Sequence, residues 1–217
     1  MTDREIMARR AALELADGMV VNLGFGIPVA VANYIPEGIE VFLETENGAL
    51  GMGATPALGQ QDSDYGNAAG MPITLLPGAS IFDAGMSFGM IRGGHVNVAI
   101  LGGLQVDQEG NLANWSMPDR SPGIGGAMDL VTGVPTIIIT MKHTTKTGES
   151  KILKRCALPL TAKGVVDVII TEVAVFYVTS RGLTLKEKMP NYSVSDIRAI
   201  TDAEFEVAAD LCDYRLS

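Results

Sequence analysis

Two carboxylates and an amide stand together where a short apolar run, Val41 to Leu43, gives way to Glu44-Thr45-Glu46-Asn47-Gly48-Ala49-Leu50-Gly51-Met52-Gly53. Glycines at 48, 51 and 53 mark a segment whose backbone can approach a bound molecule closely. Strands that end in such loops are where open α/β folds place their ligand sites. A carboxylate there can act as acid, base, metal ligand or nucleophile, and Glu46 is read as the nucleophile. With a reference pKa near ~4.3, a glutamate is ionised at neutral pH and needs no partner base to attack a carbonyl. Both glutamates also fit a solvated strand end. What weighs against that plainer reading is a second loop further along the chain.

That loop is Ser121-Pro122-Gly123-Ile124-Gly125-Gly126-Ala127-Met128-Asp129-Leu130. Successive glycines leave backbone N–H groups unobstructed, and a helix start aims several of them at one point. Such a nest suits the oxyanion of acyl transfer. The same residues also read as a flexible turn. A third loop, Gly24-Phe25-Gly26, follows a strand and precedes a helix, with Glu44 roughly 20 positions on, which is much of a dinucleotide fingerprint. Val29 stands where the third glycine belongs and Pro28 stiffens the turn. A generic anion- or substrate-binding loop is therefore preferred, with dinucleotide binding as the alternative.

Other chemistries find little support. His95 and His143 are the only histidines and lack metal-ligand partners at helical or hairpin spacing, so no metal site is expected and both read as structural. No nucleophile elbow of the Gly-x-Ser-x-Gly kind is present. Lys146-Thr147-Gly148 matches a β-lactamase tripeptide without its companion motifs and reads as a loop, and Trp115 as a core or interface anchor.

The elements that must position these loops follow from pattern and punctuation. Thr2 with Glu5 forms a capping box ahead of a helix striped by Ala8, Ala11, Ala12 and Leu15 and stopped by Gly18. Strands are expected at 19–23, 39–43, 73–76, 96–101, 136–141, 165–171, 174–179 and 183–187, the last two joined as a hairpin through Ser180-Arg181-Gly182. Helices are expected after Pro28 to Tyr34, over 83–91, 128–131 and 193–200, and again over 201–210 behind a Thr201/Glu204 capping box. Residues 54–70 read as a long functional loop. Short, continuously apolar strands alternating with helices predict an α/β fold: an open, mostly parallel sheet flanked by helices, with residues 1–217 as one domain.

Composition narrows the partners. Apolar residues at 47% against 19% charged argue against a disordered chain, and a net charge of −9, with Lys and Arg dispersed apart from a short cluster at Lys151, Lys154 and Arg155, speaks against a nucleic-acid binder. Cys156 and Cys212 show no C-x-x-C spacing and read as buried, reduced thiols. The opening residues show no apolar signal region, and the uncharged stretch from Met19 to Pro36 holds Asn22, Asn33 and two prolines. A membrane span is therefore not expected, and the protein is expected in the cytoplasm.

Five ordered motifs then carry a resemblance. Glu46-Asn47-Gly48, Leu76-Pro77-Gly78-Ala79, Ile91-Arg92-Gly93-Gly94-His95, Leu112-Ala113-Asn114-Trp115 and Gly125-Gly126-Ala127-Met128-Asp129-Leu130 together resemble the β subunit of a family I CoA-transferase of the 3-oxoacid type, over nearly the whole chain. Thr45 stands where the family usually has Ser, and 118–123 departs from the more basic form of acetoacetate enzymes. The resemblance implies that Glu46 attacks an acyl-CoA thioester and becomes a glutamyl-CoA thioester in a ping-pong transfer to a small carboxylic acid. It makes Gly126 the backbone oxyanion donor, Asn47 an orienting group, and Gly24, Gly26 and Gly125 contacts for substrate or CoA. No cofactor is implied, CoA being a substrate. The partner it implies is an α subunit that completes the site in an α/β hetero-oligomer.

Overall fold

The computed structural model describes residues 1–121 and 123–216. Helix α1 (Asp3–Ala12) starts at the Thr2 cap, where the Thr2 hydroxyl accepts from the Glu5 N–H and the Glu5 carboxylate from the Thr2 N–H. Strand β1 (Val20–Leu23) leads through Gly24-Phe25-Gly26 into a 3₁₀ helix, Pro28–Tyr34. Then come β2 (Phe42–Thr45), β3 (Ala49–Met52), β4 (Leu75–Ile81) and α2 (Ala84–Arg92). Next are β5 (Val98–Gly102), β6 (Gln105–Asp107), β7 (Leu112–Ala113), α3 (Ala127–Gly133), β8 (Thr136–Thr140) and β9 (Ile152–Leu153). The last elements are β10 (Val168–Ile170), β11 (Ala174–Thr179), β12 (Gly182–Lys188), α4 (Val194–Ile200) and β13 (Phe205–Asp213).

Ten strands form one open sheet in the order β13-β12-β11-β10-β8-β5-β1-β2-β3-β4. Its central run from β10 to β2 is parallel throughout, as the α/β expectation requires, and antiparallel hairpins extend it on both sides. Side chains alternate across a strand, so each central strand feeds two cores. Val98, Ile100 and Ile138 pack with Met7, Ala8 and Ala11 of α1 on one face, whereas Ala99, Leu101, Ile137 and Ile139 pack with Ile91 of α2 and Leu130 of α3 on the other. Burial on both faces is why these strands read as unbroken apolar runs. Truncating such a residue, Ile138→Ala for example, costs about 2–5 kcal/mol.

The structure differs from the sequence expectation in four places. The segment expected as a final helix over 201–210 is instead the edge strand β13, parallel to β12. The expected cap is occupied elsewhere: the Thr201 hydroxyl donates to the Ile197 carbonyl at 2.6 Å, and Glu204 pairs with Lys154. Phe205 packs edge-on against Phe176 with centroids 5.2 Å apart, so tertiary pairing overrides the local pattern. Second, β3 and the small sheet β7-β6-β9 are short strands that the sequence pattern did not announce. Third, β4 continues through Pro77-Gly78 rather than stopping there. It is the last strand of the sheet, where a residue without an N–H is tolerated, and a register shift opposite Gly51 absorbs the extra chain. Fourth, of the two free thiols expected to be buried, Cys212 is exposed and Cys156 half-buried. No helix among the described residues is long and apolar enough to cross a membrane.

Candidate active site

Glu46 sits where the sheet changes direction. β2 is the last of the central parallel strands, and β3 returns antiparallel to it with Thr45 opposite Ala49, leaving Glu46-Asn47-Gly48 as the turn. Gly48 has φ +123, and a Cβ on it would lie 2.0 Å from the Phe82 carbonyl oxygen. Only glycine fits there, on two counts. The turn is sewn to the chain ahead of α2 by the Phe82 N–H, which donates to the Gly48 carbonyl at 3.0 Å. Asn47 is held at both ends of its amide: its Oδ1 accepts from the Thr45 hydroxyl, and its Nδ2 donates to the Gly66 carbonyl at 2.8 Å. It ties the turn to the long loop 54–70.

The half-buried Glu46 faces a cavity of about 930 Å³ at the carboxyl ends of β1, β5 and β8. Gly24 and Gly26 line it, with Gly103, Thr140 and Lys151. Gly24 is small because β1 runs close to β5: a Cβ there would stand 2.9 Å from Leu101 Cδ2. Gly26 has φ +93, and its carbonyl accepts from Arg4 Nη2 at 3.0 Å, which pins the loop to α1.

Across from the turn, the glycine loop brings Gly126 against the carboxylate. A Cβ on Gly126 would be 2.9 Å from Glu46 Oε1, 3.1 Å from its Cδ and 3.1 Å from Phe88 Cζ. Its φ of −79 is open to any residue, so glycine is needed for room and not for angle. Gly125, at φ +53, needs glycine for angle while its surroundings are open. No side chain separates the Gly126 backbone from the carboxylate, as an oxyanion donor beside a nucleophile would require.

Glu44 and Glu46 point to the same side of the strand end, two residues apart. Glu44 is 2% exposed; Ser87 Oγ donates to its Oε1 at 2.6 Å and Asn22 Nδ2 to its Oε2 at 2.8 Å. Burial raises the Glu44 pKa against the lowering by these two donors. Glu46 is likewise raised, first by burial and then by the Glu44 charge, with the Asn22 amide acting the other way. On the far wall, burial lowers the Lys151 pKa, and its Nζ donates to the Gly103 carbonyl at 3.1 Å.

Of the residues singled out from sequence, Glu46, Gly24 and Gly26 thus meet at one cavity, and Gly126 closes on the Glu46 carboxylate. Asn47 does not turn its amide to the cavity, and Gly125 stands one residue back from it. Sequence reasoning gave no role to Asn22, Ser87, Thr140 or Lys151; the first three stand among apolar residues that gave no cue. Glu44, the acidic member of the dinucleotide alternative, has both oxygens occupied by protein donors and is closed to a ribose.

A family model described as Coenzyme A transferase matches residues 4–199. The chain is 51% identical over 216 residues to the β subunit of the acetate CoA-transferase of Escherichia coli (strain K12), covering 99% of each. It is 49% identical over 205 residues to a subunit of the succinyl-CoA:3-ketoacid coenzyme A transferase of Helicobacter pylori (strain ATCC 700392 / 26695), covering 94% of this chain and 99% of that one. A solved acyl-CoA transferase apoenzyme from Escherichia coli O157:H7 superposes with TM-score 0.80 at 25% identity, covering 99% of this chain. The chain spans 44% of that longer polypeptide. It belongs to the coenzyme A transferase family. Within that family it is of the β-subunit type.

Proposed function

We propose that this chain is the β subunit of an enzyme that moves CoA from an acyl-CoA to a small carboxylic acid, with Glu46 as the nucleophile. The observation that carries the reading is the approach of the Gly126 backbone to the Glu46 carboxylate at the mouth of a cavity large enough for a substrate arm. A lone pair of a Glu46 oxygen bonds to the thioester carbon. The C–S bond breaks and its electrons leave on sulfur as CoA thiolate. The thiolate then attacks the resulting anhydride at the Glu46 carbonyl, releasing the first acid and leaving a glutamyl-CoA thioester. The acceptor carboxylate repeats the two steps in reverse. No proton has to move, so the nucleophile needs no general base. Gly126, with Gly125 ahead of it, supplies the oxyanion donor, and Gly24 and Gly26 border the path of CoA. Two buried polar atoms on the cavity wall, Asn22 Oδ1 and Thr140 Oγ1, have no partner among the described residues and suit a polar ligand.

The acid is proposed to be a 3-oxoacid such as acetoacetate. The two relatives above are named for acetate and for a 3-ketoacid, so an assay must cover both. An α subunit is proposed to complete the site, and Phe25 at the cavity, with Met86 on α2 and Met128 on α3, 78%, 57% and 49% exposed, suit a covering partner. No further cofactor is called for, and the cytoplasm is the proposed compartment. The test is to purify the chain with its α partner, incubate with acyl-CoA, reduce with borohydride and map the modified residue. Reduction at residue 46, with parallel initial-rate lines, is expected. Modification of Glu44 or of no glutamate would overturn the assignment, and intersecting lines would overturn the ping-pong order.

A further inference from the structure

Glu44 is a carboxylate almost without solvent against which no cation stands among the described residues. Its two donors come from different elements, Ser87 from α2 and Asn22 from β1. Neither β1 nor β3 carries an ionisable side chain. On α2, the Asp83 cap accepts from the Met86 N–H, and Arg92 pairs with Asp129 of α3 at 2.7 Å. Of the cations on the cavity wall, Lys142 pairs with Asp3 and Glu172 and Lys151 donates to the Gly103 carbonyl, so the charge that acts on Glu46 is that of Glu44. A buried acid with two neutral donors and a like charge beside it is an expensive way to fasten a helix to a sheet. A neutral amide would fasten it equally well.

We propose that Glu44 is a positioning residue for Glu46: a fixed second negative charge that makes free, ionised Glu46 the unfavoured state and its esterified state the relieved one. The inference rests on the reading of Glu46 as nucleophile. When the Glu46 oxygen bonds to the thioester carbon and the C–S electrons leave on sulfur, the charge at residue 46 is discharged while Glu44 keeps its own. The repulsion ends in that step. Between unit charges about 7 Å apart at an effective dielectric of ~20, it corresponds to roughly 10–100-fold in an equilibrium. Asn22 touches both sides of the balance, since its amide donates to Glu44 and also acts on Glu46.

The variant that isolates the charge is Glu44→Gln. The glutamine oxygen accepts from Asn22 Nδ2 and its amide donates to the Ser87 hydroxyl, so every partner is kept and only the charge is lost. The measurement is the pH dependence of the first half-reaction in the α/β complex, with the fraction of enzyme held as glutamyl-CoA thioester at equilibrium. Removing the charge is expected to move the acid limb down by roughly one to two pH units and to lower the thioester-to-free ratio roughly 10–100-fold. The thioester still maps to residue 46. Ser87→Ala, which withdraws a donor and so favours neutral Glu44, is expected to shift the limb the same way by less. A folded Glu44→Gln enzyme with an unchanged limb and ratio would overturn the proposal. Should that variant fail to fold, an unmoved limb in Ser87→Ala would do so. Absence of a thioester in the wild type would instead overturn the functional reading, and this inference with it.

Discussion

Glu187, on β12, and the Glu44–Glu46 pair, at the end of β2, are acids withdrawn from water near opposite ends of one sheet, and they are treated in opposite ways. Glu187 receives Arg10 Nε at 2.7 Å and Arg10 Nη2 at 2.9 Å, with Arg215 Nη2 at 2.6 Å. Burial pushes its carboxyl up, but the two guanidinium groups hold it below the usual range. Arg10 also pairs with Glu14, which accepts from the Tyr177 hydroxyl at 2.7 Å, so α1, β11 and β12 are joined through one network. The other pair has neutral donors alone, and its carboxyls are held above the usual range. Burial is common to both centres. Compensation separates them: where cations complete the site an acid becomes a tie, and where they are withheld it stays reactive.

The comparison can be broken most severely at Glu46. Glu46→Ala is expected to reduce turnover by roughly 10⁴–10⁶-fold with a melting temperature close to wild type. A turn carboxylate that contributes to chemistry and little to packing requires both results in one preparation. The converse is expected of Arg10→Ala. Removing one member of a buried pair costs about 3–5 kcal/mol, read as a lower denaturant midpoint, while activity per folded molecule is retained. If instead Arg10→Ala lowered activity without lowering stability, the division between the two centres would fail.

Gly126→Ala sharpens the reactive side. Its backbone angle admits alanine, so the added methyl, 2.9 Å from Glu46 Oε1, acts on the carboxylate and not on the helix. A loss of roughly 10²–10³ in kcat is expected, with the melting temperature little changed. The smallest expected effect is a pH test of a third buried group. Burial lowers the His143 pKa to about 4, and its ring lies between the Thr171 and Thr201 hydroxyls. The unfolded chain therefore takes up this proton more readily. Its contribution is intact above the ordinary histidine value and is lost as pH falls from there to about 4, on the order of 3 kcal/mol in all. His143→Gln should flatten that part of the stability curve.

Much of this was legible in the chain because the signals were local. Thr2 and Glu5, Ser193 before α4, and the β-branched run before Met141 each fix an element within a few residues. The glycines of the two loops announced backbone approach, and Glu46 and Gly126 do meet. What could not be read depends on distant partners. The strand fate of Phe205 and its successors is decided by Phe176 and by the free edge of β12. The engagement of Asn47 depends on Gly66, nineteen residues on, and the Glu44 network is assembled from three separate elements.

The fastening of the Glu46 turn also makes it a socket. Thr45 and Asn47 hold one rim, Gly48 is locked under the Phe82 carbonyl, and the side chain at 46 projects from between them into the cavity. For protein engineering this separates the fixture from the tool. Position 46 could be refitted with a thiol, an imidazole or a genetically encoded unnatural nucleophile while the hairpin keeps its register. The same library extended one residue past Asn47 would be empty of folded members.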